Sequence, residues 1–554
     1  MATKLAEINM KTEASKDRGG LRPFSEAAVL GCAWPALLLA TMCLIPYLNK
    51  PFLIDDPYFL AMAEQIVKHP THPMDFAICW NLFPDCTKAY LLTPGNALMG
   101  YVLVPTVLTG AHEWTAHLTQ LVLVWIAIVA MTSLVLRFGW DRQHAIVGAL
   151  LLVAIAPFLP MASTAMPDIL ATAVALVAME RLAAWKVERK WRQGAAAGIA
   201  LGLAGFARAH LVLLLPLAAF YLLESADPKM LLAQVRRRFW LWTPVLLGAA
   251  LLWAITTTIR EGKSASELPA AYSGLHYIPY NLGAYLLYLV FPIPLAVCWL
   301  ANRLKGGPLH IVIVLMAAVG ATLFVHHRWL PLSVSFLALI GFGVLTDLLY
   351  EALNSADHTG LFLMLWILIP LPIVYYGHLP PKYLLPCMPA IIFLCFRLLK
   401  GFSVQFFRAA AIVLIVAGTS YSVLILRSDA EFATFGRDAL YSLIRPHVAA
   451  GETVWFDGQF SAYWYAPLAG ATLTYANGPQ PKPGDLLVVG LFEDARTLVL
   501  PRFPHRTLVD AEAHQYRFGR TGKAGIGLYT NRLGYWLWGF GASPDDRYEL
   551  WRID

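Results

Sequence analysis

The sequence predicts a polytopic α-helical membrane protein of about thirteen transmembrane helices with a C-terminal extracytoplasmic α/β domain. Three observations carry that prediction. The 554-residue chain is 58% hydrophobic and 14% charged, against about 25% charged in soluble globular proteins. Its apolar residues gather in windows of roughly 17 to 25 residues, the length that crosses a bilayer as helix. After Leu426 the chain turns to mixed polar sequence with short β-like runs. The net charge of +7 does not point to nucleic acid, because the basic residues fall in short clusters between apolar spans, where they set topology.

Residues 1–26 are mixed in charge and read as a cytoplasmic tail. No small-residue cleavage site follows the first apolar run, 27–48, which is therefore read as a retained span rather than a signal. Further windows lie near 115–137, 143–162, 168–186, 239–257, 279–300, 309–325, 330–350, 360–376, 383–399 and 409–426. The stretch 194–223 fits either one long helix or a hairpin broken near Arg208. The positive-inside rule favours the hairpin: with an inner N-terminus, the clusters 137–142, 186–192, 229–238, 303–305 and 397–408 then all fall inside. The transmembrane domain runs over 27–426 with a large outer loop at 49–114, and residues 427–554 form the outer domain.

Strands are expected in that domain at 452–456, 471–475, 485–490 and 497–500, with helix at 430–445 and around 459–466. Its expected role is to cover or contact the membrane site. Of the seven cysteines, Cys32, Cys43, Cys298, Cys387 and Cys395 lie in or beside apolar spans and read as small buried hydrophobes. Cys79 and Cys86 occupy the polar outer loop and can pair if that loop faces an oxidising compartment.

On this topology the unusual polar residues collect on the outer side. Asp55 and Asp56, in Ile54-Asp55-Asp56-Pro57-Tyr58, are adjacent acids at a membrane surface, where a carboxylate is normally solvated, paired, or used to bind cations or move protons. One of them suits an N-cap of a helix opening with Pro57, leaving the other, by preference Asp55, to act as a base. Asp168, in Met166-Pro167-Asp168, opens a later span on the same face, again either as a cap or as a functional acid. Lys88, Arg208, Arg260, Arg328 and Lys382 are outward cations suited to a phosphate, and each alone also reads as an interfacial anchor. Tyr383 follows Lys382 in the run Lys382-Tyr383-Leu384-Leu385-Pro386.

A metal site at His69, His72 and Asp75 is disfavoured because Pro70 and Pro73 prevent a helical ligand pair, and the adjacent His326 and His327 diverge. No metal-ligating residue is assigned, although a divalent metal is left open. The chain has no dinucleotide fingerprint, phosphate-binding glycine loop, zinc cysteine spacing or serine elbow.

Taken in order, the first span, the outer acidic pair, the long loop, Met166-Pro167-Asp168, the "AGIALGLAGFAR" run ending in Arg208, Lys382-Tyr383-Leu384-Leu385-Pro386 and the terminal outer domain resemble the C-type polytopic glycosyltransferases. The likeness is to the branch of protein O-mannosyltransferases and the lipid A aminoarabinose transferase. It implies transfer of a sugar from a polyprenyl-phosphate carrier to an acceptor at the outer face of the cytoplasmic membrane, with Asp55-Asp56 at the reaction centre and Asp168 in support. The chain departs from the family in having Asp-Asp where many relatives have Asp-Glu. It also has Leu92-Thr93-Pro94-Gly95-Asn96 where a Lys-Pro-Pro-Leu-like run is usual, so that Lys88 is the substitute for the missing lysine. The expected partners are the lipid-linked donor, membrane lipids and an acceptor of unspecified class. A secondary transporter and a noncatalytic envelope-assembly protein are the competing readings; outer-edge acids and the lack of an evident repeat argue against the first.

Overall fold

The computed structural model describes residues 25–79, 86–92, 96–223, 239–259, 273–291, 293–306, 331–457, 460–490, 499–514, 516, 519–522, 525–540 and 547–554. Among the described residues seven helices are long and apolar enough to cross a membrane: Glu26–Tyr47, Glu113–Arg137, Trp240–Thr258, Leu332–Asn354, His358–Tyr375, Pro381–Leu399 and Val404–Ala449. The bent pair Leu275–Val290 and Leu295–Lys305 makes an eighth if it forms one span. The chain is thus a multi-pass membrane protein.

Several expected spans take other forms. The window 143–162 is a helix, Arg142–Ala154, that stops before Pro157 and is followed by the short helix Phe158–Ala162, since proline cannot donate the next helical hydrogen bond. Asp168–Glu188 is a 21-residue helix, largely buried, that carries Asp168, Glu180, Arg181, Lys186 and Glu188. The window 309–325 lies outside the described residues. The stretch 194–223 does break where expected: the helix Trp191–Ala207 ends at Arg208, whose backbone is extended, before the turn Ala209–Leu213 and the helix Leu214–Leu222.

The glycines of the "AGIALGLAGFAR" run explain how that helix is placed. A Cβ on Gly198 would lie 2.8 Å from Leu247, and one on Gly202 would lie 3.0 Å from the carbonyl of Gly248. Small residues therefore let this helix and Thr243–Thr258 approach backbone to backbone, as is common in membrane bundles.

The basic clusters converge at one end of the bundle. Arg137 bonds Glu180 and Glu188, Lys305 donates to the carbonyl of Gly401, and Arg408 donates to Gln143. The cluster 229–238 lies outside the described residues.

The first turn of residues 427–554 is not a break. A single helix, Val404–Ala449, runs 46 residues through it, about 70 Å at 1.5 Å per residue, more than twice the roughly 30 Å hydrocarbon core. Its far end carries a five-stranded mixed sheet in the order Thr472–Leu473, Val454–Asp457, Leu486–Gly490, Arg547–Ile553, Arg506–Ala513. The first three strands are parallel, and Arg547–Ile553 runs antiparallel to both its neighbours. Leu500 lies in a 3-10 turn rather than the strand expected at 497–500. Leu487 and Val489 pack on one face with Val499, Leu500 and Phe503, while Leu486 and Val488 join the main core on the other, the period-2 alternation of a strand buried on both faces. Helix Ser461–Leu468 returns from the sheet to the membrane part.

Candidate active site

The acidic pair sits in a strained turn. Ile54 has φ 52°, a left-handed conformation that a β-branched residue rarely adopts and that costs on the order of 1–3 kcal/mol. The Asp56 N–H closes the turn onto the Leu53 carbonyl at 3.1 Å. Asp56 then holds it from the other side: its Oδ2 accepts from the Leu53 N–H at 2.9 Å and its Oδ1 from the Ala165 N–H at 2.7 Å. The capping expectation is corrected here. Helix Asp56–Lys68 has no side-chain cap from Asp55, and the Asp56 carboxylate serves a turn outside that helix. Asp56 is fully buried. Burial pushes its carboxyl up to about 7 against the pull of Lys50 and the two N–H donors.

Asp55 is left with its side chain one third exposed, 3.7 Å from the Lys382 ammonium. Burial raises its pKa above the usual carboxylate range; Lys382 pulls it back, Asp168 adds to the rise, and Arg208 opposes it. Lys382 is itself buried, beside Met166 Sδ at 3.3 Å and with the Tyr529 ring centroid 5.4 Å away. It reaches this place because Pro381–Cys387 is a tight 3-10 segment leading into helix Met388–Leu399.

Asp168 accepts from the Arg208 guanidinium at 2.5 Å. Both are buried, and the guanidinium lies 4.4 Å from the Tyr383 ring centroid, a cation–π contact. Asp168 Oδ2 and Arg208 Nε are buried without a hydrogen-bond partner among the described residues. His378 Nε2 meets the Tyr383 hydroxyl at 3.2 Å. Burial and the cations Lys382, Arg532 and Arg208 push this histidine down to about 3, so it is neutral at physiological pH.

Asp55, Asp168, Arg208, Lys382 and Tyr383 thus form one cluster, drawn from the first loop and from residues well over a hundred positions away. Lys88 is not part of it: its ammonium pairs with Asp75 at 2.7 Å, and both side chains are more than half exposed or close to it. Arg260, Arg328, His326 and His327 lie outside the described residues. His72 contacts Thr71, and among the described residues no three His, Cys, Asp or Glu side chains converge as a metal-binding group. Cys79 and Cys86 are disulfide-bonded, beside the hairpin of Ala77–Ile78 and Thr87–Lys88.

Four further residues belong to the site's frame. Gln120, fully buried, donates to the Met166 carbonyl at 2.8 Å and fixes the turn before Asp168. Lys50 and Asp429 form a fully buried ion pair at 2.5 Å, and the Tyr529 hydroxyl donates to the same Asp429 oxygen at 2.7 Å. Lys50 had one signal in the sequence, a lysine at the end of the first span that the expected topology makes outer, where positive charge is unusual. A separate cleft of about 540 Å³, lined by Tyr277, Tyr280, Asn281, Arg532, Tyr535 and Trp536, does not include the acids.

No family model matches the chain, and no curated protein matches it. Solved structures do. ArnT from Cupriavidus metallidurans bound to undecaprenyl phosphate is 14% identical with a TM-score of 0.50, covering 95% of this chain and 98% of that one. The apo state of the same protein is 13% identical with the same TM-score and coverage. An oligosaccharyltransferase of Archaeoglobus fulgidus is 14% identical with a TM-score of 0.42, over 80% of this chain and 63% of that one. Coverage of 95% of this chain takes in the C-terminal sheet as well as the helices, and this chain therefore shares its fold with ArnT.

Proposed function

We propose that the protein transfers a sugar from a polyprenyl-phosphate carrier to an acceptor at the outer face of the cytoplasmic membrane, with its C-terminal domain on that same side. The observation that carries this reading is the pairing of a partly exposed carboxylate, Asp55, with a buried ammonium, Lys382, 3.7 Å away. A glycosyl transfer from a lipid phosphate needs both: a base for the acceptor and a cation for the departing phosphate.

In this reaction the acceptor's hydroxyl or amine attacks the anomeric carbon. The new bond forms as the bond from that carbon to the phosphate oxygen breaks, and the electron pair leaves on the polyprenyl phosphate. Asp55 takes the acceptor's proton, while Lys382 offsets the charge gathering on the phosphate. Asp168 Oδ2 and Arg208 Nε, buried and without a hydrogen-bond partner among the described residues, can accept from a sugar hydroxyl and donate to a phosphate oxygen. One displacement inverts the anomeric centre, and no second carboxylate is assigned to a covalent sugar intermediate.

The test supplies purified protein with a panel of radiolabelled polyprenyl-phosphate sugars and measures label leaving the carrier. Release of label, with a product of inverted configuration, supports the reading. A broad donor panel that neither binds nor turns over overturns it, and a retained configuration overturns the single displacement.

A further inference from the structure

We infer that the C-terminal domain is a working part of the reaction centre, gripping the strained 50–56 segment from two sides through Lys50, Asp429, Tyr529 and Tyr465 as positioning residues. The first grip is ionic. The Lys50 ammonium has three donors and three acceptors for them: Asp429 Oδ2 at 2.5 Å, and Ser163 Oγ and the Ser163 carbonyl, both at 3.1 Å. Asp429 is completed by the C-terminal chain, with the Thr521 hydroxyl on Oδ1 at 3.0 Å and the Tyr529 hydroxyl on Oδ2 at 2.7 Å. A buried ion pair is tolerated only when its remaining hydrogen bonds are made, and here two of them come from the outer domain.

The second grip is on the backbone of Phe52. Its N–H donates to the Tyr465 hydroxyl at 2.7 Å, and its carbonyl accepts from the Ser461 hydroxyl at 3.0 Å. Tyr465 in turn donates to Glu113 at 2.9 Å. Both Ser461 and Tyr465 stand on the helix Ser461–Leu468 of the outer domain. Lys50 and Phe52 are thus held on either side of Pro51, just before the left-handed Ile54. The same Ser163 that binds Lys50 lies two residues from Ala165, whose N–H holds Asp56. A residue in the left-handed region persists only where its surroundings over-determine it, and the outer domain supplies a large part of that determination. Tyr529 also lies against Lys382, so one ring touches both the grip and the cation facing Asp55.

The kinetic arm of the test rests on the proposed sugar transfer; the exchange arm does not. Tyr529→Phe and Tyr465→Phe each remove one hydroxyl from the full-length protein and keep the ring, which avoids the folding failure that Lys50→Met risks. Amide hydrogen exchange is read at peptides containing Leu53 and Ala165, resolved by overlapping peptides to those two N–H groups, neither of which bonds Tyr529 or Tyr465. Exchange there is expected to quicken about tenfold in each variant. With the carrier-linked sugar that wild type uses, kcat per folded enzyme is expected to fall about tenfold to a hundredfold, with KM for the donor little changed. Unchanged exchange at both peptides overturns the inference. So does faster exchange with a wild-type kcat, because the grip would then serve stability alone. If wild type transfers no sugar, the proposed function fails, and the exchange result alone decides the coupling.

Discussion

Lys382 holds its ammonium 3.7 Å from the Asp55 carboxylate, whereas the oxygens of Asp56, one residue on, are taken by the N–H groups of Leu53 and Ala165. Two adjacent acids of the same type therefore have different work. Asp55 faces a cation and is partly open; Asp56 ties a turn together.

That division predicts a stability phenotype for Asp56→Asn. An asparagine offers one oxygen, and its amino group must face one of the two N–H donors. The unmet donor costs about 1–3 kcal/mol. Thermal unfolding in detergent should show a lower Tm, and a Tm equal to wild type would mean that the two backbone bonds carry no weight.

The pH dependence of stability follows with a sign opposite to that of an ordinary paired carboxylate. The Asp56 carboxyl is held at about 7 in the folded state, above the value of about 3.9 expected when unfolded. Between those values the folded state binds the extra proton, so stability falls as pH rises through the window. Asp56→Asn removes this part of the slope, which a series of Tm measurements from about pH 4 to 7 will read.

The rate has its own acid limb. If Asp55 is the base, transfer needs its ionised form and falls as pH drops through the raised pKa of that group. Lys382 favours the carboxylate form, and Lys382→Met should move the acid limb to higher pH as well as slow the reaction. A limb that stays in place or moves to lower pH would contradict the pairing.

Arg208→Met leaves Asp168 buried beside no guanidinium. Removing one partner of a buried pair costs about 3–5 kcal/mol. The double variant Arg208→Met with Asp168→Asn should recover a large share of that loss, as measured by unfolding in the same detergent. A loss in the double variant equal to the sum of the losses in Arg208→Met and Asp168→Asn alone would show that the pair is not coupled.

Much of the clustering of these residues is legible in the sequence because the charge pattern is. Sorting the lysine and arginine clusters to one side put Asp55, Asp168, Arg208 and Lys382 on the other, and the structure brings those four together. The break at the end of the "AGIALGLAGFAR" run was readable for a similar reason: the positive-inside rule asks for a hairpin there, and the helix ends at Arg208. Lys88 could not be placed in the same way, because its exposed partner Asp75 is a matter of local hairpin geometry. The Lys50–Asp429 pair joins residues at opposite ends of the chain, and no periodicity or spacing relates them. The strands Arg506–Ala513 and Arg547–Ile553 were missed too. The first is largely exposed and lies at the sheet edge, without the alternation that marks a strand with one buried face.

The most direct measurement is sugar transfer by Asp55→Asn beside Asp56→Asn, each normalised to folded protein at a temperature where both are native. If Asp55 is the base, its variant loses on the order of 10²–10⁴ in rate with an unfolding profile like wild type, while the Asp56 variant keeps much of its rate and loses stability. A wild-type rate in Asp55→Asn, with the loss falling on Asp56→Asn instead, would contradict the assignment.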